Sequence, residues 1–204
     1  MILLISILCV ITTSAKEIKL LNINKDNTVI LKGTILGNNT KKAYLDLLEK
    51  LQKNKKPVYI VLSSPGGNVD TLETFTFLIK KYNLSFHTIS LNASSAAFSI
   101  FQRGKIRYIH FKGTLMQHQW SIYIHGYMNR NKTLQLLKNL DIMERPFFIY
   151  ESKRLKVTLK EYKQLIKNDL RLNAEEALKY NAADYIVKFK CDSFLKKELG
   201  KFCD

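Results

Sequence analysis

Short apolar runs rich in β-branched residues alternate with amphipathic helical patterns along the chain from residue 18 onward. The continuous apolar run at 58–63 is typical of a strand buried on both faces of a parallel sheet. Helical spacing of apolar side chains follows it at 69–82 and precedes it at 40–54. Further strand patterns lie at 18–36, 84–91, 106–111, 114–118 and 184–189. This alternation predicts a layered α/β fold with a largely parallel sheet and flanking helices.

The C-terminal half contains two helix-start signals and one helix breaker. Thr158 with Glu161 and Asn173 with Glu176 have the spacing of capping boxes, so each pair predicts the beginning of a helix. Residues 131–156 have a long helical pattern, which we expect Pro146 to kink or interrupt. No repeat or linker divides the chain, and we expect a single domain over residues 16–204.

The N-terminus has the pattern of an export signal. Residues 2–11 are almost wholly apolar and are followed by small polar residues ending at Ala15. The run is about half the length of a membrane span. It predicts a signal peptide over residues 1–15 and a periplasmic or secreted mature protein. Because no Lys or Arg precedes the run, a buried first strand of a cytoplasmic protein is the alternative.

Cleavage after Ala15 would leave two cysteines, Cys191 and Cys203. In an oxidising compartment they could close a small loop as a disulfide. Two free thiols are an equally good interpretation of the sequence alone.

The formal net charge is +16, from 33 basic and 17 acidic residues. Such a field could attract anionic membrane surfaces, acidic peptides or nucleic acid. The basic residues are spread along the chain, without zinc-ligand spacing, an arginine-rich arm or an aromatic RNA-binding signature. We therefore expect a solvated basic surface and no nucleic-acid partner, and association with an anionic membrane surface stays open.

Two segments at strand ends could take part in catalysis. The SPGG segment, residues 64–67, follows the apolar run at 58–63, and its glycines would allow a substrate to approach the backbone closely. Its free N–H groups could stabilise an oxyanion, although the same residues are a common turn. Ser95 lies between a strand pattern and a helical pattern, where a nucleophile would be accessible. Ser94 is a rival nucleophile, and either serine could simply cap the helix.

His118 and Asp169 complete a possible set of catalytic groups. His118 ends a strand pattern, where a neutral imidazole could accept the proton of a serine. Asp169 precedes a capping-box helix and could orient the histidine. Taken singly, each is more simply a surface or structural residue.

In their order, these segments resemble the Clp protease proteolytic-subunit family, which shares a superfamily with the crotonases. That family has a Ser-Pro-Gly-Gly segment, an Ala-Ala-Ser-like segment, a strand-end His-Gln, and an Asp before a Leu-(Ser/Thr)-Ala-x-Glu-Ala segment. Residues 64–67, 93–95, 118–119 and 169–177 match it in that order. The resemblance covers residues 57–187 and implies a ClpP/crotonase-like fold.

The resemblance also implies roles for individual residues. Ser95 would be the nucleophile, His118 the general base and Asp169 its orienting acid. The backbone N–H groups of Gly66 or Gly67 and of Ala96 would form the oxyanion hole. The reaction would be hydrolysis of peptide bonds through an acyl-enzyme, with no metal or organic cofactor, in a homo-oligomer that acts on peptides or unfolded proteins.

The chain departs from the family pattern in two places. Trp120 replaces the proline that follows His-Gln, and the glycine-rich strand after it is poorly matched, which leaves substrate specificity open. Pro146 lies in the region of the family's inter-ring helix. An exported enzyme would also lack an ATP-driven unfoldase, so the peptidase is expected to work without ATP.

Three other functions fit the same fold. The first is a signal-peptide-peptidase-like protease with a Ser-Lys dyad, and the second is an acyl-CoA hydratase or isomerase of the crotonase type. The third is a catalytically inactive binding or scaffold member.

Overall fold

The computed structural model describes residues 18–53, 57–122, 124 and 126–203. The predicted signal peptide, residues 1–15, and the start of the predicted domain at residue 16 lie outside these ranges. The strands are β1 (Lys19–Ile23), β2 (Thr28–Lys32), β3 (Tyr59–Ser64), β4 (His87–Ser94), β5 (Arg107–Gln117), β6 (Leu170–Leu172) and β7 (Tyr185–Cys191). The helices are α1 (Gly37–Lys53), α2 (Val69–Lys81), α3 (Ala96–Phe101), α4 (Arg130–Leu155), α5 (Leu159–Leu165), α6 (Ala174–Lys179) and α7 (Ser193–Leu199).

The strands form one sheet in the order β1-β7-β5-β4-β3-β2, and β6 pairs separately with β5. All neighbouring strands run parallel except β5 and β6, which are antiparallel. The predicted α/β class with a largely parallel sheet is confirmed.

Alternating side chains of the strands pack into two hydrophobic clusters on opposite faces of the sheet. In β3, Ile60 and Leu62 join the larger cluster with α1 to α6, whereas Val61 joins the smaller one. Leu195 and Leu199 of α7 cover that second face. The near-continuous apolar sequence of β3 follows from this burial on both faces.

Several elements differ from the sequence expectations. The patterns at 106–111 and 114–118 belong to the single long strand β5, and neither β6 nor α7 was expected. The interruption expected at Pro146 is wrong, because α4 is continuous from Arg130 to Leu155. Proline removes one backbone hydrogen bond, but the buried Phe147 and Phe148 that follow it anchor this part of the helix in the core. Both predicted capping boxes are present.

A disulfide joins Cys191, at the end of β7, to Cys203, with their Cα atoms 5.7 Å apart. It holds the segment after α7 against the sheet, where Phe189 forms a bridge with Cys203. The structure thus contains the paired form of the two cysteines. Within the described ranges, no helix has the length and apolar character needed to cross a membrane.

An ion pair between the buried Arg107 and the half-buried Asp184 fixes the start of β5 to the start of β7. Arg107 donates to both carboxylate oxygens of Asp184, through Nη2 at 2.6 Å and Nε at 3.1 Å. Its Nη1 donates to Gln102 Oε1 at 2.6 Å. Burial alone would raise the pKa of Asp184, but the hydrogen bonds and charge of Arg107 outweigh it and hold that pKa below its ordinary value.

We predict that Asp184→Asn lowers the free energy of unfolding by about 2 kcal/mol at pH 7, because it leaves the buried Arg107 guanidinium without its counter-ion. A lowered pKa stabilises the fold above the ordinary aspartate pKa, near pH 4. The difference from wild type should therefore disappear as the pH falls through the lowered pKa of Asp184. Urea unfolding at a series of pH values measures it.

Asp141→Asn is the matched control, because Asp141 pairs with Lys163 at the surface. We expect it to cost less than about 0.5 kcal/mol. Equal losses in the two variants would contradict a special contribution from the Arg107–Asp184 pair.

Candidate active site

Three neighbouring parallel strands end at the same edge of the sheet. β3 leads into the SPGG segment, β4 into Ser95 and β5 into His118. Parallel strands bring their carboxyl ends together, and ligands of such sheets bind at that edge. The topology therefore gathers the segments that sequence analysis selected.

Ser95 lies in a sharp turn between β4 and α3, with φ 54° and ψ −122°. Positive φ is costly for a residue with a side chain, on the order of 1–3 kcal/mol, and persists only where the surroundings impose it. Here the Ser95 N–H donates to the carbonyl of Met116 at 2.9 Å, which fixes the turn to β5. A strained strand-to-helix turn is the geometry of a nucleophile elbow.

The helix-cap interpretation of the two serines is not supported by the hydrogen bonds of the described chain. Ser95 occupies the N-cap position of α3, but its side chain makes no capping hydrogen bond. Ser94 belongs to β4, and its hydroxyl donates to Asn92 Oδ1 at 3.2 Å. Ser95 is therefore the serine at the turn, and Ser94 is part of the strand.

Gly66 lies directly against the serine turn. Its φ is 98°, and a Cβ atom at this position would lie 2.7 Å from Ser95 Cβ and 2.6 Å from the carbonyl oxygen of Ser94. The SPGG segment can approach Ser95 this closely only because residue 66 has no side chain.

The hydrogen bonds of the SPGG segment distinguish its two glycine N–H groups. The Gly66 N–H donates to the buried Ser64 hydroxyl at 3.1 Å, and the Gly66 carbonyl accepts from Ile35 N at 2.7 Å. In a trans peptide the C=O and the following N–H point in opposite directions, so the Gly67 N–H points away from Ile35. Ala96, as the first residue of α3, has an N–H without an intrahelical acceptor.

The pairing of β5 with β6 brings His118 and Asp169 together. Met116 lies opposite Arg171, and Gln117 lies opposite Leu170. His118 and Asp169 each lie one position beyond the last of these pairs, where Asp169 leaves the extended conformation with φ 57°. On the other edge of β5, Met116 pairs with Ser94. The residues next to His118 therefore contact the Ser94–Ser95 segment on one edge of β5 and the segment after Asp169 on the other.

The side chains of His118 and Asp169 face other partners. His118 Nδ1 lies 2.5 Å from the carbonyl oxygen of Gln119. Asp169 accepts from Arg171 Nη2 at 3.0 Å, and both side chains of this pair are largely exposed. In the described chain, therefore, the imidazole of His118 and the carboxylate of Asp169 are not hydrogen-bonded to each other.

Comparison with known proteins gives a family and a fold. The model of the Clp protease family matches residues 14–190, which is most of the sequence. The chain belongs to the Clp protease family. A solved structure of a ClpP1 point mutant from Listeria monocytogenes superposes with a TM-score of 0.68 at 18% identity, covering 79% of this chain and 91% of that one. At this sequence identity the structural likeness establishes the fold alone. The search of curated proteins found no match to the chain.

Membership of the Clp protease family does not by itself assign a role to any individual residue. Trp120, which replaces the expected proline, packs on Phe147 of α4 with ring centroids 5.2 Å apart. This contact anchors the chain immediately after His118 and Gln119.

Sequence analysis missed a buried polar cluster beneath the site, formed by Ser99, Gln117, Glu151 and Tyr162. Ser99 donates to Glu151 Oε1 at 2.5 Å, Gln117 Nε2 donates to Oε2 at 3.1 Å, and the Tyr162 hydroxyl also donates to Oε2. Burial raises the pKa of Glu151, against the hydrogen bonds that lower it. The one available signal was a carboxylate on the apolar face of α4, between Phe148 and Leu155.

We predict that Gly66→Ala disrupts the serine turn. The added methyl group would lie closer to Ser94 and Ser95 than van der Waals contact allows, at a φ that L side chains rarely adopt. We expect a loss of about 2 kcal/mol or more in the free energy of unfolding, measured by chemical denaturation.

Gly126→Ala is the matched control. Gly126 also has positive φ, 78°, but a Cβ atom there would meet no atom within 4 Å. A loss in Gly66→Ala no greater than in this control would contradict the close approach to Ser95.

Proposed function

We propose that the protein is a serine endopeptidase in which Ser95, His118 and Asp169 form the catalytic triad. The observation that carries the proposal is the backbone arrangement: a serine in a strained strand-to-helix turn, beside the end of β5, with His118 and Asp169 at the adjoining ends of the β5–β6 ladder. Family membership supports the reaction class.

In the proposed reaction, Ser95 Oγ attacks the carbonyl carbon of a peptide bond while His118 accepts the hydroxyl proton. The N–H groups of Gly67 and Ala96 stabilise the oxyanion that forms. His118 then protonates the leaving amine, and the acyl-enzyme remains on Ser95. Water, deprotonated by His118, releases the acid product and restores the serine. Gly66 is excluded as a donor in this scheme, since its N–H is already bonded to Ser64.

This reaction requires two side-chain rotations. His118 must exchange the Gln119 carbonyl for Asp169, and Asp169 must release Arg171. The Asp169–Arg171 pair is exposed, so breaking it costs less than about 1 kcal/mol. Substrate binding or assembly of subunits can supply that energy.

The proposed substrates are peptides or unfolded protein segments, cleaved without ATP by a homo-oligomer. An extended segment could lie across the edge where β3, β4 and β5 end. The net charge of +16 favours acidic segments and, secondarily, association with an anionic membrane surface.

A catalytically inactive binding or scaffold member is the second candidate. It is favoured by one observation: His118 and Asp169 hydrogen-bond to Gln119 and Arg171 instead of to each other.

Reaction with a fluorophosphonate probe separates the two candidates. We expect the wild-type protein to be labelled, and Ser95→Ala and His118→Ala to lose at least about 99% of the labelling rate, as triad variants do. Ser94→Ala and His87→Ala are the matched controls and should be labelled at nearly the wild-type rate. A folded wild type that does not react supports the scaffold function, and labelling that depends on Ser94 would contradict the assignment of Ser95.

We also propose that the protein is exported and works in an oxidising compartment. The disulfide between Cys191 and Cys203 supports this, because such bonds persist in secreted and periplasmic proteins.

Intact-mass spectrometry of the protein purified from its native cells, without reductant, tests export. We expect a chain that starts at Lys16 and has a mass two hydrogen atoms below the reduced form. A chain that retains residues 1–15, with alkylatable thiols at Cys191 and Cys203, would contradict export.

A further inference from the structure

Glu151 is a fully buried carboxylate that joins three structural elements beneath the active site. It lies on α4 and accepts hydrogen bonds from Ser99 on α3, Gln117 on β5 and Tyr162 on α5. The side chain of Gln117 is 1% exposed and that of Tyr162 is 0% exposed. A carboxylate in such a place is costly unless donors satisfy its oxygens, and this cluster supplies three.

Two of these donors belong to segments that hold the catalytic candidates. Gln117 immediately precedes His118, and its Oε1 accepts the backbone N–H of His118 at 3.1 Å. Ser99 lies one turn along α3 from Ser95, and its N–H donates to the Ser95 carbonyl at 3.2 Å. Glu151 is therefore one side chain away from the backbone of both residues.

The orientation of the Gln117 amide depends on Glu151. A primary amide has one acceptor end and one donor end. While its NH₂ group faces an acceptor at Glu151, its oxygen faces His118 N–H. If the acceptor at residue 151 is removed, the buried NH₂ group keeps only its longer hydrogen bond to Ser99 Oγ, at 3.3 Å, or the amide turns and confronts His118 N–H with a second donor. Either outcome weakens the hold of the Gln117 amide on the backbone of His118.

The same helix holds the chain on the other side of His118. Phe147, one turn before Glu151 on α4, packs on Trp120. Side chains four positions apart lie on one helical face, so α4 contacts the residues both before and after the histidine.

We propose that Glu151 is a positioning residue of the active site, which fixes the backbone of His118 through Gln117 and the start of α3 through Ser99. This role rests on the proposed function of His118 as the general base. In this proposal α4 positions active-site residues, whether or not it also contacts another subunit.

The test compares Glu151→Met and Gln117→Met with Glu151→Gln in the full chain. The two methionine variants keep a similar volume but break the path to His118, whereas the amide oxygen of Glu151→Gln still accepts from Gln117. Amide hydrogen exchange at residues 117–120 is measured relative to β3, together with the rate of fluorophosphonate labelling. We expect exchange at His118 to be about tenfold faster and labelling about tenfold slower in both methionine variants, since small displacements of catalytic groups cost at least this much. Glu151→Gln should stay within about threefold of wild type in both measurements.

Gln102→Met is the matched control. Gln102 is also a fully buried glutamine, but its amide joins Arg107 to the carbonyl of Ala182, away from the histidine. Loss of the Gln102 amide should lower the free energy of unfolding of the whole protein without a selective rise in amide exchange at His118. If Glu151→Met does not fold, Glu151→Leu takes its place, because leucine also lacks an acceptor for Gln117.

Unchanged exchange at His118 in the folded Glu151 variant without an acceptor, or in folded Gln117→Met, or an equal rise in Gln102→Met, would overturn the proposal. The exchange measurement needs no catalytic turnover. It therefore decides the positioning role even if wild-type protein fails to react with the probe, which would count against the proposed peptidase function instead.

Discussion

The site depends on which strands pair with the two edges of β5. Along one edge it pairs with β4, and along the other it pairs first with β7 and then, in the opposite direction, with β6. With β7 alone on that edge, Asp169 would not be brought near His118, because β7 pairs with β5 only at residues 108–110. The antiparallel strand β6, only three residues long, pairs with β5 further along the same edge, at residues 115–117.

Close backbone packing adds the nucleophile to this arrangement. Gly66 approaches the Ser95 turn from β3, while the Met116 carbonyl holds the Ser95 N–H from β5. The turn is thus fixed from both neighbouring strands, which explains how Ser95 can retain a positive φ. The peptide groups that remain available, at Gly67 and Ala96, follow from these contacts.

Much of the fold could be predicted from the sequence because local chemistry specifies it. The apolar run of β3 and the capping boxes at Thr158 and Asn173 depend on neighbours along the chain. β6 could not be found in this way, since three residues carry too little pattern and its pairing with β5 is a tertiary event. Pro146 was misjudged for a related reason: the burial of Phe147 and Phe148 was not visible locally.

In the candidate site, too, some features follow from the local sequence and others depend on tertiary packing. The positions of Ser95, His118 and Asp169 could be selected from motif order, whereas the partners of their side chains could not. The hydrogen bond between Asp169 and Arg171 depends on rotamers, and the burial of Glu151 depends on the packing of α4 against α3 and α5. Neither leaves a periodic signal in the sequence.

The position of β1 has a consequence for how the protein reaches this structure. β1 pairs with β7, so that Lys19 lies beside Val187 although almost the whole described chain separates them. During synthesis β1 emerges early and has no partner until the last strand leaves the ribosome. Such non-local pairing slows folding and leaves strand edges open to other chains. The sheet is therefore completed only once β7 is available, and until then a chaperone that covers exposed strands would protect it from aggregation.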